Sequence, residues 1–318
     1  MYYGTDGYGS AHEQKCPIIG NMDETLTDSS GMSDDQDISR RFLFEEADIR
    51  GEMVSVAGTL RAILDNHQYA PGVARLIGEF VAAAALLSST LKFEGRLTLQ
   101  ARSRGQVPLL MAECNNKLEL RAIARGAQQA TATEFAELIG EGQLAITVEP
   151  TEGQRYQSIV PLTGDSLAEC LDSYFEQSEQ LHTRVWLACN GSSAAGLLLQ
   201  QLPGTVVPDP DLREQQWQHA ATLAATVTAD ELLSLSGTDL LFRLYHQERV
   251  RLFAARSLRF HCGCSRERSQ RALATLGTPE IISIIEEQGS LTMDCEFCNR
   301  RYVFTQDDLF PVSQKTLH

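Results

Sequence analysis

Positive charge is scarce in this sequence. Its 318 residues include 27 Lys and Arg against 42 Asp and Glu, which gives a formal net charge of −15 at pH 7. Nucleic acids and anionic membranes attract proteins through clustered positive charge, so this composition argues against both as partners. The region from Ser257 onward also lacks a basic stripe. The acidity favours solubility, which matters to any protein that exposes apolar surface.

Long apolar runs are absent as well. The longest uninterrupted run, Phe80–Leu87, is far shorter than the ~20 residues that a membrane helix needs. Residues 1–30 contain neither a basic start nor an apolar stretch of signal-peptide length, so we expect no secretory signal. We therefore expect a cytoplasmic protein, in which clustered cysteines indicate metal or redox chemistry more often than structural disulfides.

The sequence also lacks a catalytic constellation, so we do not expect an enzyme. His12-Glu13 has no second histidine at zinc-protease spacing, and the glycine-rich stretch Gly4–Gly9 follows no strand, as a phosphate-binding loop would. Four of the eight cysteines are isolated from one another. Three stand in apolar runs and are predicted to be small buried residues, and one lies in the N-terminal region: Cys114, Cys170, Cys189 and Cys16.

Composition and periodicity divide the chain into four parts. Residues 1–38 are rich in Gly, Ser, Asp and Thr and are typical of a disordered acidic extension. Residues 39–203 predict an α+β core domain, with helices packed on a largely antiparallel sheet. Residues 204–256 follow a Pro- and Gly-containing boundary and predict a polar helical linker with one apolar face. Residues 257–318 contain the remaining cysteines and predict a small zinc-binding domain.

Both helical spacing of apolar residues and strand-like runs occur within the core domain. Helical spacing over Val54–Asn66 predicts one helix, and a second helix begins at Pro71, a residue suited to a first helical turn. A third helix is predicted at Leu167–Phe175. Strand-like runs bounded by turn residues predict seven strands, at 97–101, 108–114, 119–124, 144–148, 156–162, 185–189 and 196–202.

The remaining four cysteines form two close pairs. Cys262 and Cys264 make a C-x-C pair, and Cys295 and Cys298 make a C-x-x-C pair. Four thiolates suit Zn²⁺, which accepts soft ligands in a tetrahedron without changing its own redox state. We therefore predict that these four residues bind one Zn²⁺ per chain.

Each pair is also a candidate disulfide. A disulfide across the short C-x-C loop should be strained, and strained disulfides are the labile, regulatory kind. The C-x-x-C pair can also close on itself. Nearby arginines and a helix capped by Ser265 would favour the thiolate forms.

The segment between the two pairs, residues 265–294, predicts two short helices, of which the second begins at Thr278. A module with so small a core is marginal alone, and a structural zinc contributes ~10–16 kcal/mol of apparent binding energy in small zinc modules. Loss of the metal should therefore unfold the module. Its predicted core consists of Leu273, Leu276, Ile281, Ile284 and Ile285.

Two other functions fit the same cysteines. The first is a binding module in which the zinc ribbon is purely structural and insensitive to oxidants. The second is a thiol oxidoreductase that acts through Cys295 and Cys298, although the βαβ context of such enzymes is missing.

Beyond the cysteines, several motifs resemble one known family. From about Arg41 to about Phe310 the chain resembles the 33-kilodalton heat-shock chaperonins, which are bacterial redox-regulated holdases. The acidic N-terminal extension departs from the family pattern. The motifs that carry the resemblance are Cys262-Gly263-Cys264-Ser265, Cys295-Glu296-Phe297-Cys298, Glu152-Gly153-Gln154-Arg155-Tyr156-Gln157, Ser178-Glu179-Gln180-Leu181, Phe242-Arg243-Leu244-Tyr245-His246 and Leu91-Lys92-Phe93.

The resemblance implies a core domain, a helical linker and a C-terminal zinc domain that is inactive when reduced and zinc-bound. Oxidants would form the disulfides Cys262–Cys264 and Cys295–Cys298, release zinc and unfold the C-terminal domain. The linker would then become unstable and the protein would dimerise. Newly exposed apolar surface would hold unfolding or oxidatively damaged client proteins without ATP, under oxidative and heat stress.

Overall fold

The computed structural model describes residues 18–19, 36–91, 94–178, 181–273 and 278–309. Most of the predicted N-terminal extension lies outside the described residues, as do Cys16, Leu276 and parts of two motifs, at 92–93 and 179–180. Within the described part the predicted α+β class is confirmed, because helices pack on antiparallel sheets. Two large sheets are present where a single one was expected.

The first sheet, sheet A, has seven strands and is antiparallel. Its spatial order is β1-β11-β2-β3-β10-β9, and β12 also pairs with β2. The two most C-terminal strands of this sheet, β11 and β12, lie at the end of the linker region. The bounds are β1 Ile18–Ile19, β2 Ile38–Phe44, β3 Ile49–Val56, β9 Thr183–Cys189, β10 Ala194–Gln201, β11 Val250–Leu252 and β12 Arg256–Ser257.

The second sheet, sheet B, has six strands in the order β13-β6-β5-β4-β7-β8. Its pairs are antiparallel except for β13, which runs parallel to β6. The bounds are β4 Gly95–Arg102, β5 Leu109–Asn115, β6 Glu119–Arg125, β7 Gly142–Pro150, β8 Tyr156–Leu162 and β13 Arg259–Phe260. Four of these strands contain the predicted strand-like runs, and β5 begins one residue later than the run predicted at 108–114.

A long apolar helix, α2, packs between the two sheets. It spans Pro71–Thr90 and contacts strands of both sheets. By length and composition α2 is apolar enough to cross a membrane, but 83% of the 18-residue stretch that meets this criterion is buried inside the protein. The run Ala82–Ala85 is fully buried, and its small side chains let the strands approach the helix closely. This helix is therefore the centre of the main hydrophobic core.

One predicted helix is wrong at its start. The spacing over Val54–Asn66 predicts a single helix, whereas Val54 and Val56 end β3 and helix α1 spans only Gly58–Leu64. Pairing of β3 with both β2 and β10 overrides the local helical pattern. The remaining helices of this domain are α3 Phe135–Ile139 and α4 Leu167–Ser178.

The linker region packs its apolar side chains on the face of sheet A opposite α2. Three helices provide them: α5 Pro210–Ala224, α6 Ala229–Ser234 and α7 Gly237–Tyr245. Trp217, Leu241 and Tyr245 join Phe42 and Phe44 in a buried cluster. The Tyr245 hydroxyl donates to the Ala220 carbonyl oxygen at 3.0 Å and so ties α7 to α5. The linker therefore covers an apolar sheet face that would otherwise meet water.

The C-terminal region is a small module of its own. It contains α8 Arg266–Leu273, α9 Thr278–Gln288, the hairpin of β14 Leu291–Asp294 and β15 Arg301–Phe304, and α10 Gln306–Leu309. As predicted, two helices lie between the cysteine pairs. The buried apolar cluster is small and consists of Leu273, Ile281, Ile285, Leu291 and Phe304.

Truncation of a linker side chain tests the packing on sheet A. Leu241 is fully buried, so Leu241→Ala should lower the free energy of unfolding by about 2–5 kcal/mol. The adjacent Phe242 is 54% exposed, so Phe242→Ala should cost less than about 0.5 kcal/mol. Urea unfolding followed by tryptophan fluorescence measures this directly, because both Trp186 and Trp217 pack in this cluster. Equal effects of the two substitutions would contradict the packing.

A buried carboxylate anchors the start of the linker. Asp48 accepts hydrogen bonds of 2.9–3.0 Å from the backbone amides of Thr205, Val206 and Val207 and from the Thr205 hydroxyl. Burial alone would raise the pKa of Asp48, but these hydrogen bonds outweigh it and hold the pKa below its usual value. The ionised carboxylate therefore stabilises the folded protein at neutral pH.

The pH dependence of this anchor follows from the sign of that shift. Because the folded pKa is depressed, the stabilisation is complete above about pH 4 and is lost as the pH falls through the folded pKa. Asp48→Asn should cost on the order of 1–3 kcal/mol at pH 7 and progressively less below about pH 4. Urea unfolding at several pH values, with the exposed Asp165→Asn as control, measures the difference. A cost independent of pH would contradict the role of the charge.

Candidate metal centre

Two turns bring the four cysteines of the C-terminal module together. Cys262 and Cys264 lie between β13 and α8, and Cys295 and Cys298 lie in the connection between β14 and β15. The Cys295 amide donates to the Arg300 carbonyl oxygen at 2.9 Å, which closes this connection. Asn299 takes a left-handed conformation there, with φ of 52°. The hairpin and the C-x-C loop therefore face each other.

The four Sγ atoms surround a common point. All of them lie within 4.8 Å of one another, and each is partly buried. The separation is 3.6 Å between Cys262 and Cys295 and 3.5 Å between Cys264 and Cys298. A tetrahedral zinc with bonds of ~2.3 Å requires sulfur–sulfur distances of about 3.8 Å. This donor set therefore fits one tetrahedral, thiolate-binding metal ion.

The pKa of Cys264 is shifted in the opposite direction from those of Cys262 and Cys298. Burial opposes ionisation of Cys264, but the Tyr302 hydroxyl, which donates to its Sγ at 3.1 Å, and the other three thiols lower its pKa to about 7. Burial and thiol contacts instead raise the pKa values of Cys262 and Cys298. Cys264 is therefore the sulfur that ionises most readily at neutral pH among these three.

The predicted cap of the following helix is present. The Ser265 hydroxyl accepts a hydrogen bond from the Arg268 amide at 3.2 Å, at the start of α8. The Arg268 guanidinium turns back and donates to the Gly263 carbonyl oxygen at 2.7 Å. Gly263 leaves space for this contact, because a Cβ there would lie 3.3 Å from the guanidinium. The loop between Cys262 and Cys264 is thus held by the helix that follows it.

Two of the arginines close to the cysteines in sequence pair with carboxylates. Arg266 packs on the Phe304 ring and pairs with Asp308 at 2.9 Å, and Arg301 pairs with Asp294 at 2.8 Å. Arg300, which precedes Arg301 in the hairpin, interacts electrostatically with the sulfurs of Cys264 and Cys298.

Two side chains at the centre were missed by sequence reasoning. Tyr302 lies on β15 and contacts Cys264. Arg121 lies on β6 of the core domain, 4.1 Å from the centroid of the Phe297 ring, and interacts electrostatically with Cys262. Tyr302 stands close to Cys298 in sequence, so the hairpin could have suggested it. Arg121 has no such signal, because its contact joins distant parts of the chain.

The isolated cysteines lie apart from this centre. Cys114 and Cys170 are buried, as predicted, whereas Cys189 is only partly buried. Burial raises the pKa values of all three thiols, to about 12 for Cys114 and about 11 for Cys189. Such thiols are poor nucleophiles and poor metal ligands at neutral pH.

The fold and this centre define an α+β protein that carries a C-terminal four-cysteine module. The chain belongs to the Hsp33 family, because the family model described as Hsp33 protein matches residues 37–305. The resemblance stated from the motifs is thereby confirmed.

Curated relatives agree with this assignment. The chain is 52% identical over 276 residues to the 33 kDa chaperonin of Pseudomonas aeruginosa strain UCBPP-PA14, covering 86% of this chain and 93% of the relative. It is 51% identical over 278 residues to the 33 kDa chaperonin of Azotobacter vinelandii, with 86% and 94% covered. The crystal structure of the 33 kDa chaperonin of Thermotoga maritima shares the fold, with a TM-score of 0.73, 21% identity and 86% and 96% coverage.

Removal of one sulfur tests the proposed ligand set. Because loss of a supporting outer contact alone weakens metal binding about 10–100-fold, Cys262→Ser should lower the affinity for Zn²⁺ by more than that. Cys189→Ala, which alters a cysteine outside the centre, should leave the affinity unchanged. Competition with a chromophoric chelator measures both. Unaltered affinity of Cys262→Ser would remove Cys262 from the ligand set.

Proposed function

We propose that this protein is a redox-regulated, ATP-independent chaperone that holds unfolding proteins and prevents their aggregation under oxidative and heat stress. In the reduced, inactive state one Zn²⁺ is bound by Cys262, Cys264, Cys295 and Cys298. Membership in the Hsp33 family and relatives named 33 kDa chaperonins support the chaperone role. The observation that carries the redox part is the convergence of four sulfurs within 4.8 Å of one another.

Bound metal would stabilise the C-terminal module, whose apolar core is small. Among the described residues, the cluster around Phe304 contains five buried apolar side chains, too few for stable independent folding. Bound Zn²⁺ would cross-link the C-x-C loop to the hairpin and stabilise the module by folding-coupled binding. The module is therefore expected to unfold when its sulfurs are no longer available as ligands.

Oxidation makes those sulfurs unavailable. When Cys262 and Cys264 form a disulfide, two thiolates lose two electrons and one S–S bond forms. One hydrogen peroxide is reduced to two water molecules with uptake of two protons. The pair Cys295 and Cys298 consumes a second peroxide in the same way. Zn²⁺ requires thiolate ligands, and the sulfurs of the two disulfides carry no thiolate charge. The ion is therefore released.

Unfolding of the module would destabilise the linker and expose apolar surface. The strands β11, β12 and β13 come from one continuous segment that leads from the linker into the module. Loss of their pairing would free the linker helices from sheet A and uncover the cluster around Phe42 and Phe44. This surface is suited to unfolded clients and to dimerisation of the activated protein.

The domain division that follows from this scheme is a proposal as well. Residues 39–203 form the core domain, 204–256 the linker whose release activates the protein, and 257–318 the redox-switch domain. Residues 1–38 form an acidic extension, of which Ile18 and Ile19 pair with β11. The activity requires neither ATP nor a catalytic residue, and its setting is the cytoplasm, without nucleic acid or membrane partners.

Zinc release and chaperone activity should change together. Peroxide at raised temperature should release about one zinc per chain, and the treated protein should suppress aggregation of a denatured client. The reduced protein should do neither. A chromophoric zinc indicator and light scattering measure both in one sample.

The outcomes separate the alternatives. Zinc release without suppression of aggregation would contradict the chaperone assignment. Zinc retained under oxidant would instead support a purely structural ribbon. Turnover of dithiol substrates by Cys295 and Cys298 would indicate an oxidoreductase. For that last outcome the double variant Cys295→Ser/Cys298→Ser serves as the control, since it lacks both thiols that would carry the turnover.

A further inference from the structure

One core-domain side chain interacts with a residue of each cysteine motif of the module. Arg121 lies on β6, and its side chain is only 16% exposed. Its guanidinium interacts with the sulfur of Cys262 and lies 4.1 Å from the centroid of the Phe297 ring. Phe297 stands between Cys295 and Cys298, so Arg121 reaches the C-x-C pair through sulfur and the C-x-x-C pair through this ring.

A second arginine of the same strand extends the contact. Arg125 pairs with Glu296, the other residue between the C-x-x-C cysteines, at 2.5 Å. The side-chain amide of Asn299, which follows Cys298, donates to the backbone carbonyl of Asn66. The C-x-x-C connection therefore has three core-domain partners.

The backbone fixes this arrangement. Strand β13 pairs in parallel with β6, and the amide of His261 donates to the Leu120 carbonyl oxygen at 3.0 Å. Cys262 follows His261 directly in sequence, and Arg121 follows Leu120. The ladder thus places the first cysteine beside the arginine that contacts it.

We infer that Arg121 and Arg125 form a docking site on the core domain, the β6 docking site, for the reduced metal-bound cysteine centre. Four thiolates and one Zn²⁺ carry a formal charge of −2, to which a partly buried guanidinium is attracted. The Phe297 ring adds a cation–π contact to the same guanidinium. Oxidation, as in the proposed function on which this step rests, leaves two neutral disulfides and removes the charge.

Undocking therefore has its own electrostatic cause, separate from unfolding of the module. Loss of the anionic centre leaves Arg121 with Glu113, which pairs with it at 2.6 Å within the core domain. Closure of a disulfide between Cys295 and Cys298 also moves the connection that carries Glu296 and Phe297. Conversely, docking covers Cys262 and should slow its reaction with oxidants.

The test uses the full-length, reduced, zinc-loaded chain. The amides of Arg259 and His261 donate to carbonyl oxygens of Leu118 and Leu120, so their hydrogen exchange reports docking. Arg121→Gln should accelerate exchange in the peptide that contains them by about tenfold, because a partly desolvated cation–π and charge contact is lost. Zinc content is measured in the same sample.

Two further variants separate docking from damage to the core sheet. Arg96→Gln removes another partner of Glu113, at 3.4 Å, and should leave exchange near the wild-type rate. Phe297→Leu leaves β6 intact and should accelerate exchange as Arg121→Gln does, so it decides the question if Arg121→Gln binds zinc poorly. Wild-type exchange in Phe297→Leu, or equal acceleration by Arg96→Gln and Arg121→Gln, would overturn the inference.

The readout is independent of chaperone activity, because neither oxidant nor client is present. Accelerated exchange in Arg121→Gln and Phe297→Leu supports the β6 docking site even if the oxidised wild type fails to suppress aggregation. Suppression of aggregation together with unchanged exchange in both variants overturns the β6 docking site and leaves the proposed function standing.

Discussion

The convergence of four sulfurs on one point is the constraint on which the C-terminal module depends. Within residues 257–273 and 278–309 its helices and hairpin bury five large apolar side chains, and its strands β14 and β15 are four residues each. Such a cluster cannot offset the conformational entropy of about fifty ordered residues. A metal ion that links the C-x-C loop to the hairpin would therefore make the arrangement of α8, α9 and the hairpin unique.

The same link governs distant parts of the protein because of chain connectivity. Residues 250–260 supply β11 and β12 to sheet A and then β13 to sheet B, immediately before Cys262. A single segment thus joins the linker, both sheets and the cysteine centre. Asp48 and the cluster around Leu241 hold the linker from its other side. In the proposed mechanism, release of the module removes one of two attachments of the linker, so that a local redox event would reach a large apolar surface.

Local pattern predicted much of this architecture, and its failures have physical reasons. Strand-like runs located five of the six strands of sheet B, all but β13, and cysteine spacing alone grouped the four sulfurs. Strand β3 was missed, because Val54 and Val56 fit a helical period as well as an alternating one and only pairing with β2 and β10 decides between them. Its partner β2 was missed as well. Arg121 was missed for a related reason, since its contact with Cys262 depends on the parallel pairing of β6 with β13.

The contacts between the module and the core domain differ in strength, and the difference decides which of them matter. Arg125 and Glu296 are both half exposed, so their ion pair contributes no more than about 1 kcal/mol. Arg121 is largely shielded from water, so its interactions with the sulfur and the ring are screened less by salt. Its attraction to the module changes with the charge of the centre, whereas that of Arg125 does not. Undocking on oxidation is therefore controlled mainly by Arg121, and the exposed pair sets orientation more than affinity.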